Sequence, residues 1–384
     1  MYVPAERTEQ CTGCGLCAVK CLNRCIQMQP DIEGFMRPVV NGEECLSCGV
    51  CRAVCPANHQ PDAIPLHKAY AAYCVDEKIR YNSSSGGIFS ALAESVLAAG
   101  GVVAGAAMQP DGMIRHILAE TEEQLALLRG SKYVQSEAWH VFAPIQSMLD
   151  AGRTVLFSGT PCQTAALSAY LRAPAERLIL IDLICHGVPS PAVWKRYVDF
   201  RSEQVGAACT DVSFRDKEES WQYYRLKMHF ANGTSYAAPA ASDPYLRAFL
   251  KNASLRPSCA DCAFKGDHRL SDLTLADYWG VERLHPMQNA KQGVSLVLVH
   301  SEKGQQLLER CAGSLVMEET AAAPALAVNA AYTCSADASP NRWRFFAGLD
   351  RLPFDQLVRQ NCADCFSERL HKLAGKVKRR MVRR

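Results

Sequence analysis

Eight of the nine cysteines in the first 55 residues are arranged as two runs of C-x2-C-x2-C-x3-C. The first run is Cys11, Cys14, Cys17 and Cys21; the second is Cys45, Cys48, Cys51 and Cys55, closed by Pro56. A cubane iron–sulfur cluster needs four thiolates, and C-x2-C-x2-C brings three of them out of one tight turn. In such doubled runs the displaced fourth cysteine ligates the other cluster. The spacing therefore assigns Cys11, Cys14, Cys17 and Cys55 to one 4Fe-4S cluster, and Cys45, Cys48, Cys51 and Cys21 to a second. Zinc is the competing chemistry, but its modules are built from separated C-x2-C pairs. Leu22 stands where a proline normally follows the fourth cysteine, and Cys25 reads as a buried thiol outside the ligand set.

Four further cysteines lie in segments built for chemistry. Cys162 in FSGTPCQ follows a short apolar run and opens a helix. Cys185 in LICHGVPSP follows a second apolar run, and Cys259 and Cys262 form a C-x2-C in RPSCADC. Ligands in α/β proteins gather at the carboxyl ends of parallel strands, so these four thiols are candidates for a third 4Fe-4S cluster. Two rivals stand beside that reading. A structural zinc takes the same donor set, and Cys162 at a helix N-terminus could be a nucleophile with His186 as its base. Cys74, Cys209, Cys311 and Cys334 are isolated and read as structural thiols; Cys362 and Cys365 form a last C-x2-C with no evident partner.

The elements that must position these residues change character along the chain. After the tandem cysteine repeat and a proline-marked connector, residues 87–99 read as a helix stopped by Gly100-Gly101. Residues 102–108 and 114–120 read as strands joined through Asp111-Gly112, and the helix 121–129 opens on a Thr-x-x-Gln capping pattern. Buried apolar runs at 154–158 and 178–184, each followed by a helix, point to parallel strands of an α/β unit. The second of those helices, 191–203, begins on Pro191. Residues 222–230 and 234–238 look like a hairpin through Asn232-Gly233, and 294–300 like a last strand before the helix 302–311. The expected fold class is α+β and α/β: an N-terminal bacterial-ferredoxin-like domain, then a mixed α/β domain. The expected units are 1–65, 66–150, 151–330, and a helical extension with a basic tail, 331–384.

At 384 residues, 48% hydrophobic and 21% charged, the chain is a multidomain globular protein. A net charge of +3 gives no electrostatic case for nucleic acid. Nineteen cysteines would suit a secreted disulfide scaffold, but MYVPAERTEQ is not a signal peptide and the thiols stand at metal-ligand spacing. The longest apolar run, 96–108, is too short to span a membrane. The expected location is cytoplasmic.

The segments SSSGGIFSALA, LRGSKYVQS, VLFSGTPCQTAAL, IDLICHGVPSPAVW, SFRDK, CADCAFKG and LSDLTLADYWG, in that order, resemble the coenzyme F420 hydrogenase/dehydrogenase beta-subunit family. The resemblance, to the bacterial branch with an N-terminal ferredoxin domain, runs from about Cys11 to about Gly304. It implies a flavoprotein that passes electrons between clusters, flavin and substrate, and it matches the family's scattered cysteine motifs to Cys162, Cys185, Cys259 and Cys262. Ala276 and Tyr278 replace the Gly and Phe usual in the family's Gly-Asp-Phe-Trp-Gly.

The residues offer places for an FAD or FMN. Ser85, Gly86 and Gly87 precede a helix, where backbone N–H groups and the helix dipole favour a phosphate; a serine-rich N-cap is the plain alternative. Lys132 could meet a phosphate and Tyr133 could stack on a flavin ring, and Asp277 in ADYWG could accept from one. The expected function is transfer of electrons between a ferredoxin-type donor or larger oxidoreductase complex, the clusters, a flavin and a small-molecule two-electron acceptor. A non-catalytic electron-transfer subunit, or a cluster-stabilised regulatory protein, are the alternatives.

Overall fold

The computed structural model describes residues 8–59, 62, 64–171, 176–285 and 290–364. Cys365 and the basic tail lie outside the described residues. The strands are β1 Ile26–Pro30, β2 Met36–Val40, β3 Lys68–Cys74, β4 Val102–Met108, β5 Ile114–Ala119, β6 Val155–Ser158, β7 Leu178–Leu183, β8 Cys209–Asp216, β9 Arg225–Phe230, β10 Ser235–Pro239, β11 Leu273–Asp277, β12 Ser295–Val299 and β13 Leu315–Glu319. Eight of them form one sheet in the order β13-β3-β12-β11-β7-β6-β4-β5. The central strands β11, β7, β6 and β4 run parallel, and the outer pairings are antiparallel. Strands from 66–150 and from 151–330 thus share a single sheet.

Two-residue alternation places that sheet between two cores. In β7, Ile179 and Ile181 face one apolar cluster with Leu92 and Val96 of the helix Ile88–Ala98, while Leu178 and Leu180 face the other, with Phe142 and Leu167. Both faces are covered, which is why the central strands read as continuous apolar runs. The capping pattern at residue 121 forms: the Thr121 hydroxyl accepts from the Gln124 N–H at 3.3 Å, and the Gln124 side chain accepts from the Glu120 N–H at 2.8 Å.

Three features differ from the sequence expectation. The hairpin β9–β10 belongs to a three-stranded sheet with β8, whose charged residues hide its strand pattern. The strand β3 sits between β12 and β13 inside the large sheet, although it lies next to the connector in sequence. The strand at 294–300 is not the last, because β13 follows. The small sheet packs with the helices Pro191–Val205, Pro244–Leu250, Arg342–Gly348 and Phe354–Asn361 in a separate aromatic core around Trp194, Tyr197 and Tyr245.

The N-terminal cysteine module is plugged into this body. Leu16, fully buried, joins the core cluster that holds Val102, Phe142 and Phe157. Gly15 lies flat against the Trp139 ring, and Gly34 abuts Ala192, whose Cβ would stand 2.3 Å from any Cβ added there. Glu33 makes a two-pronged ion pair with Arg342, 2.7 Å on one arm.

Candidate cluster and cofactor site

β6, β7 and β11 are parallel, so their carboxyl ends share one edge of the sheet. Cys162 sits in the first turn of the helix Pro161–Leu171 behind β6, and Cys185 follows β7 directly. Cys259 ends the turn Pro257–Cys259, and Cys262 lies just beyond. All four thiols line one cavity, together with Arg256, Lys265 and Arg269 and with Gln10, Thr12 and Ala57 of the N-terminal module. Burial pushes the Cys185 thiol up to about 12 and raises Cys162 and Cys259 as well, each opposed to the other sulfurs' charge. The cations pull the other way: Lys265 lowers Cys185 and Cys259, Arg269 lowers Cys185, and Arg256 lowers Cys259. Donors also reach sulfur, with the Val188 N–H 3.5 Å from Cys259 Sγ and the Thr160 hydroxyl 3.1 Å from Cys162 Sγ.

Four half-buried thiols ringed by cations and an N–H donor suit an anionic iron–sulfur centre, which supplies the deprotonating charge that burial withholds. Among the described residues, no group of three or more His, Cys, Asp or Glu is set to hold a single metal ion. His186 lines the same cavity but is engaged elsewhere through one ring nitrogen. Its Nε2 meets Asn252 Oδ1 at 2.7 Å and its ring stands edge-on to Phe249.

In the N-terminal module, the electrostatic neighbours of Cys14 and Cys17 are Cys11 and Cys55, and burial lifts Cys14 to about 12. Cys21 packs in one cluster with Cys25, Cys45 and Cys51, which Cys17 also joins. The Cys25 sulfur is 3.4 Å from that of Cys21, and this contact holds the Cys25 thiol up at about 12. Cys48 is exposed. The set containing Cys11 therefore faces the body of the protein, and the set containing Cys48 faces outward.

The residues singled out for a flavin, Lys132 excepted, are brought to one region with two that sequence reasoning left without a role, Arg215 and Lys217 of SFRDK. Arg215 donates to Asp277 at 2.8 Å and to the Tyr133 hydroxyl at 3.3 Å, and its guanidinium lies over the Tyr224 ring at 4.0 Å. Its Nε and Nη2 are buried and make no hydrogen bond among the described residues; neither does the indole N–H of Trp221. Trp221 stacks on Trp279 with ring centres 4.8 Å apart, and Trp279 is 5.7 Å from the Arg215 guanidinium. Lys217 donates to the carbonyls of Arg80, Ser85 and Gln292 at 2.6, 3.0 and 3.0 Å. Burial first, then the charges of Arg215 and Arg80, bring its ammonium down to about 7.

The Ser-Gly segment is held by the sheet. The Ser85 hydroxyl donates to the Val294 carbonyl at 3.0 Å, and the Gly86 N–H donates to the Ser295 hydroxyl at 3.0 Å. A Cβ on Gly86 would stand 2.5 Å from the Ala72 carbonyl oxygen, so that glycine permits close packing on β3. Gly87, at φ +87°, opens the helix Ile88–Ala98. Lys132 does not reach this group: its ammonium, lowered to about 7 by burial, sits on the carbonyls of Leu127 and Arg129 at 2.8 and 2.7 Å. The signal that could have flagged Arg215 and Lys217 was two cations two residues apart at the end of a strand, hence on one face of it.

Comparison with known proteins gives the chain a family. Residues 69–142 match the family model for the coenzyme F420 hydrogenase/dehydrogenase beta subunit N-terminus, and 152–324 that for its C-terminus. Residues 10–59 match the 4Fe-4S dicluster domain. The chain is a member of the coenzyme F420 hydrogenase/dehydrogenase beta-subunit family that carries an N-terminal 4Fe-4S dicluster domain. No curated protein matches it. Among solved structures it is similar to a chain of the F420-reducing NiFe hydrogenase complex from Methanosarcina barkeri, studied by xenon derivatization. That match is at 18% identity and TM-score 0.46, over 68% of this chain and 84% of that one. No helix among the described residues is long and apolar enough to cross a membrane.

Proposed function

We propose that the protein is an iron–sulfur flavoenzyme in which three 4Fe-4S clusters connect a one-electron protein partner to a flavin that serves a two-electron acceptor. The observation that carries this reading is the shared cavity. Four cysteines from three separate loops meet there, and residues of the dicluster module form part of the same wall. Cys162, Cys185, Cys259 and Cys262 would hold the third cluster. Arg215, Trp221, Trp279, Tyr133 and Asp277 would hold the flavin. The fit rests on three buried donors without partners beside aromatic faces, because a flavin's pyrimidine ring is rich in acceptors and a buried unpaired guanidinium edge is costly. A flavin supplies exchange of one electron at a time with clusters and of two with a substrate.

The chain's own residues do the positioning. Asp277 fixes Arg215, Lys217 ties the segment before the helix Ile88–Ala98 to Gln292, and Arg80 clamps the Gly293 carbonyl at 2.9 Å. The same path runs in either direction, as the potentials dictate. Coenzyme F420 is one candidate acceptor, and a larger oxidoreductase is a candidate partner.

Anoxic purification with iron, sulfide and flavin quantified tests the proposal. Three clusters' worth of iron and one flavin per chain are expected. Cys162→Ser should lose one cluster's worth of iron and leave the dicluster signal intact. Wild-type protein with only two clusters, or with no flavin after reconstitution, would overturn the reading and favour a non-catalytic electron carrier.

A further inference from the structure

Arg256 is a buried cation whose hydrogen-bond partners include no carboxylate. It is 1% exposed and lies where the dicluster module meets the body. Its Nε donates to the Cys11 carbonyl at 2.7 Å, Nη1 to the Gln135 side chain at 2.9 Å, and Nη2 to the Met36 carbonyl at 3.0 Å and towards Cys11 Sγ at 3.7 Å. None of these partners is a carboxylate. Gly13 is shaped to it: a Cβ there would stand 2.6 Å from Nη1. On the other side, Arg256 lines the cavity of Cys162, Cys185, Cys259 and Cys262, and it precedes the turn that carries Cys259. A buried guanidinium without a carboxylate is costly unless other negative charge faces it.

We propose that Arg256 is a positioning residue shared by two clusters, raising the reduction potential of the Cys11 cluster and screening its charge from that of the Cys162 cluster. The proposal rests on the cluster assignments of the preceding section. In the step concerned, one electron leaves one cluster and arrives at the other; no bond breaks and no proton moves. Reduction adds one negative charge to a cluster. A cation hydrogen-bonded to the ligand Cys11 stabilises that added charge, and so raises the potential. Without Arg256, two anionic clusters would face each other across a dry gap, and reducing either would oppose reducing its neighbour.

Equilibrium redox titration followed by electron paramagnetic resonance tests this without relying on turnover. Arg256→Met, with full iron retained, should make the Cys11 cluster at least tenfold harder to reduce, a potential lower by about 59 mV for one electron. Arg256→Lys keeps the charge but not the forked geometry, and should shift less. Should Arg256→Met lose its clusters, Gln135→Glu places a carboxylate on Nη1 while the arginine stays; it too should lower the potential. Either variant with full iron and unchanged potentials overturns the proposal. A wild type that lacks the third cluster would instead overturn the functional reading, so the two failures are distinct.

Discussion

Arg215 uses one arm of its guanidinium on Asp277 and Tyr133 and leaves the buried Nε and Nη2 without partners. Folding a protein around such an edge carries a penalty on the order of a few kcal/mol, which a ligand with acceptor atoms removes. Burial opposes the guanidinium's charge, but Tyr133 and then Asp277 and Tyr224 keep its pKa above the ordinary arginine value. Arg215→Met should therefore weaken flavin binding by about tenfold to a hundredfold, the loss expected for hydrogen bonds to a charged group. Fluorescence titration of flavin into the flavin-free, cluster-loaded protein measures it. The iron content should not change, because Arg215 does not line the four-cysteine cavity. At this scale Tyr133 and Asp277 were legible in the sequence as candidates. Arg215 was not, since nothing along the chain says that residues 133, 215 and 277 meet.

At the scale of elements, the site depends on how the carboxyl ends of the parallel strands are held. His116 on β5 does this for β6: its Nε2 meets the Ser158 carbonyl at 3.0 Å and its Nδ1 meets the Ser136 hydroxyl at 3.0 Å. Burial lowers His116 to about 4, and likewise His300, which meets Thr274 of β11. An unfolded histidine takes up its proton near pH 6.5, whereas these two resist it until about 4 in the folded state. Between those values the unfolded chain binds more protons. Stability is thus fully present above pH 6.5 and is lost as pH falls towards 4, by on the order of 3 kcal/mol for each histidine. His116→Gln should remove about half of that slope in denaturant unfolding measured across pH 4–7. The strands themselves were readable from apolar runs and turn residues. β8 was not, because its charged residues hide the strand pattern, and β3 was not, because its partners β12 and β13 are distant in sequence.

For the whole molecule, the decisive arrangement is the docking of the dicluster module with its Cys11 side inward. Leu16 buried in the sheet's core, Glu33 paired with Arg342 and Gly34 packed on Ala192 fix that orientation. Glu33→Gln should weaken the contact by about 1–2 kcal/mol. Gly34→Ala should weaken it more, because Gly34 has φ +82° as well as no room for a Cβ. Limited proteolysis should then release the module faster in Gly34→Ala than in Glu33→Gln. Both variants should keep the iron of the module while losing reduction of the flavin by a protein donor.

The sequence by itself marked the N-terminal module as an iron–sulfur one, because eight of its nine thiols stand at cluster spacing within a 45-residue stretch. It also displayed the strand-end positions of Cys162 and Cys185, since strand and ligand are adjacent along the chain. Only the tertiary structure decided that Cys259 and Cys262 face them across one cavity, that Arg256 stands between that cavity and Cys11, and that Lys132 is spent on carbonyls of its own loop. The reason is physical. Spacing specifies groups that one turn can bring together, whereas burial and charge at a junction of distant segments exist only once the sheet has formed and the module has docked.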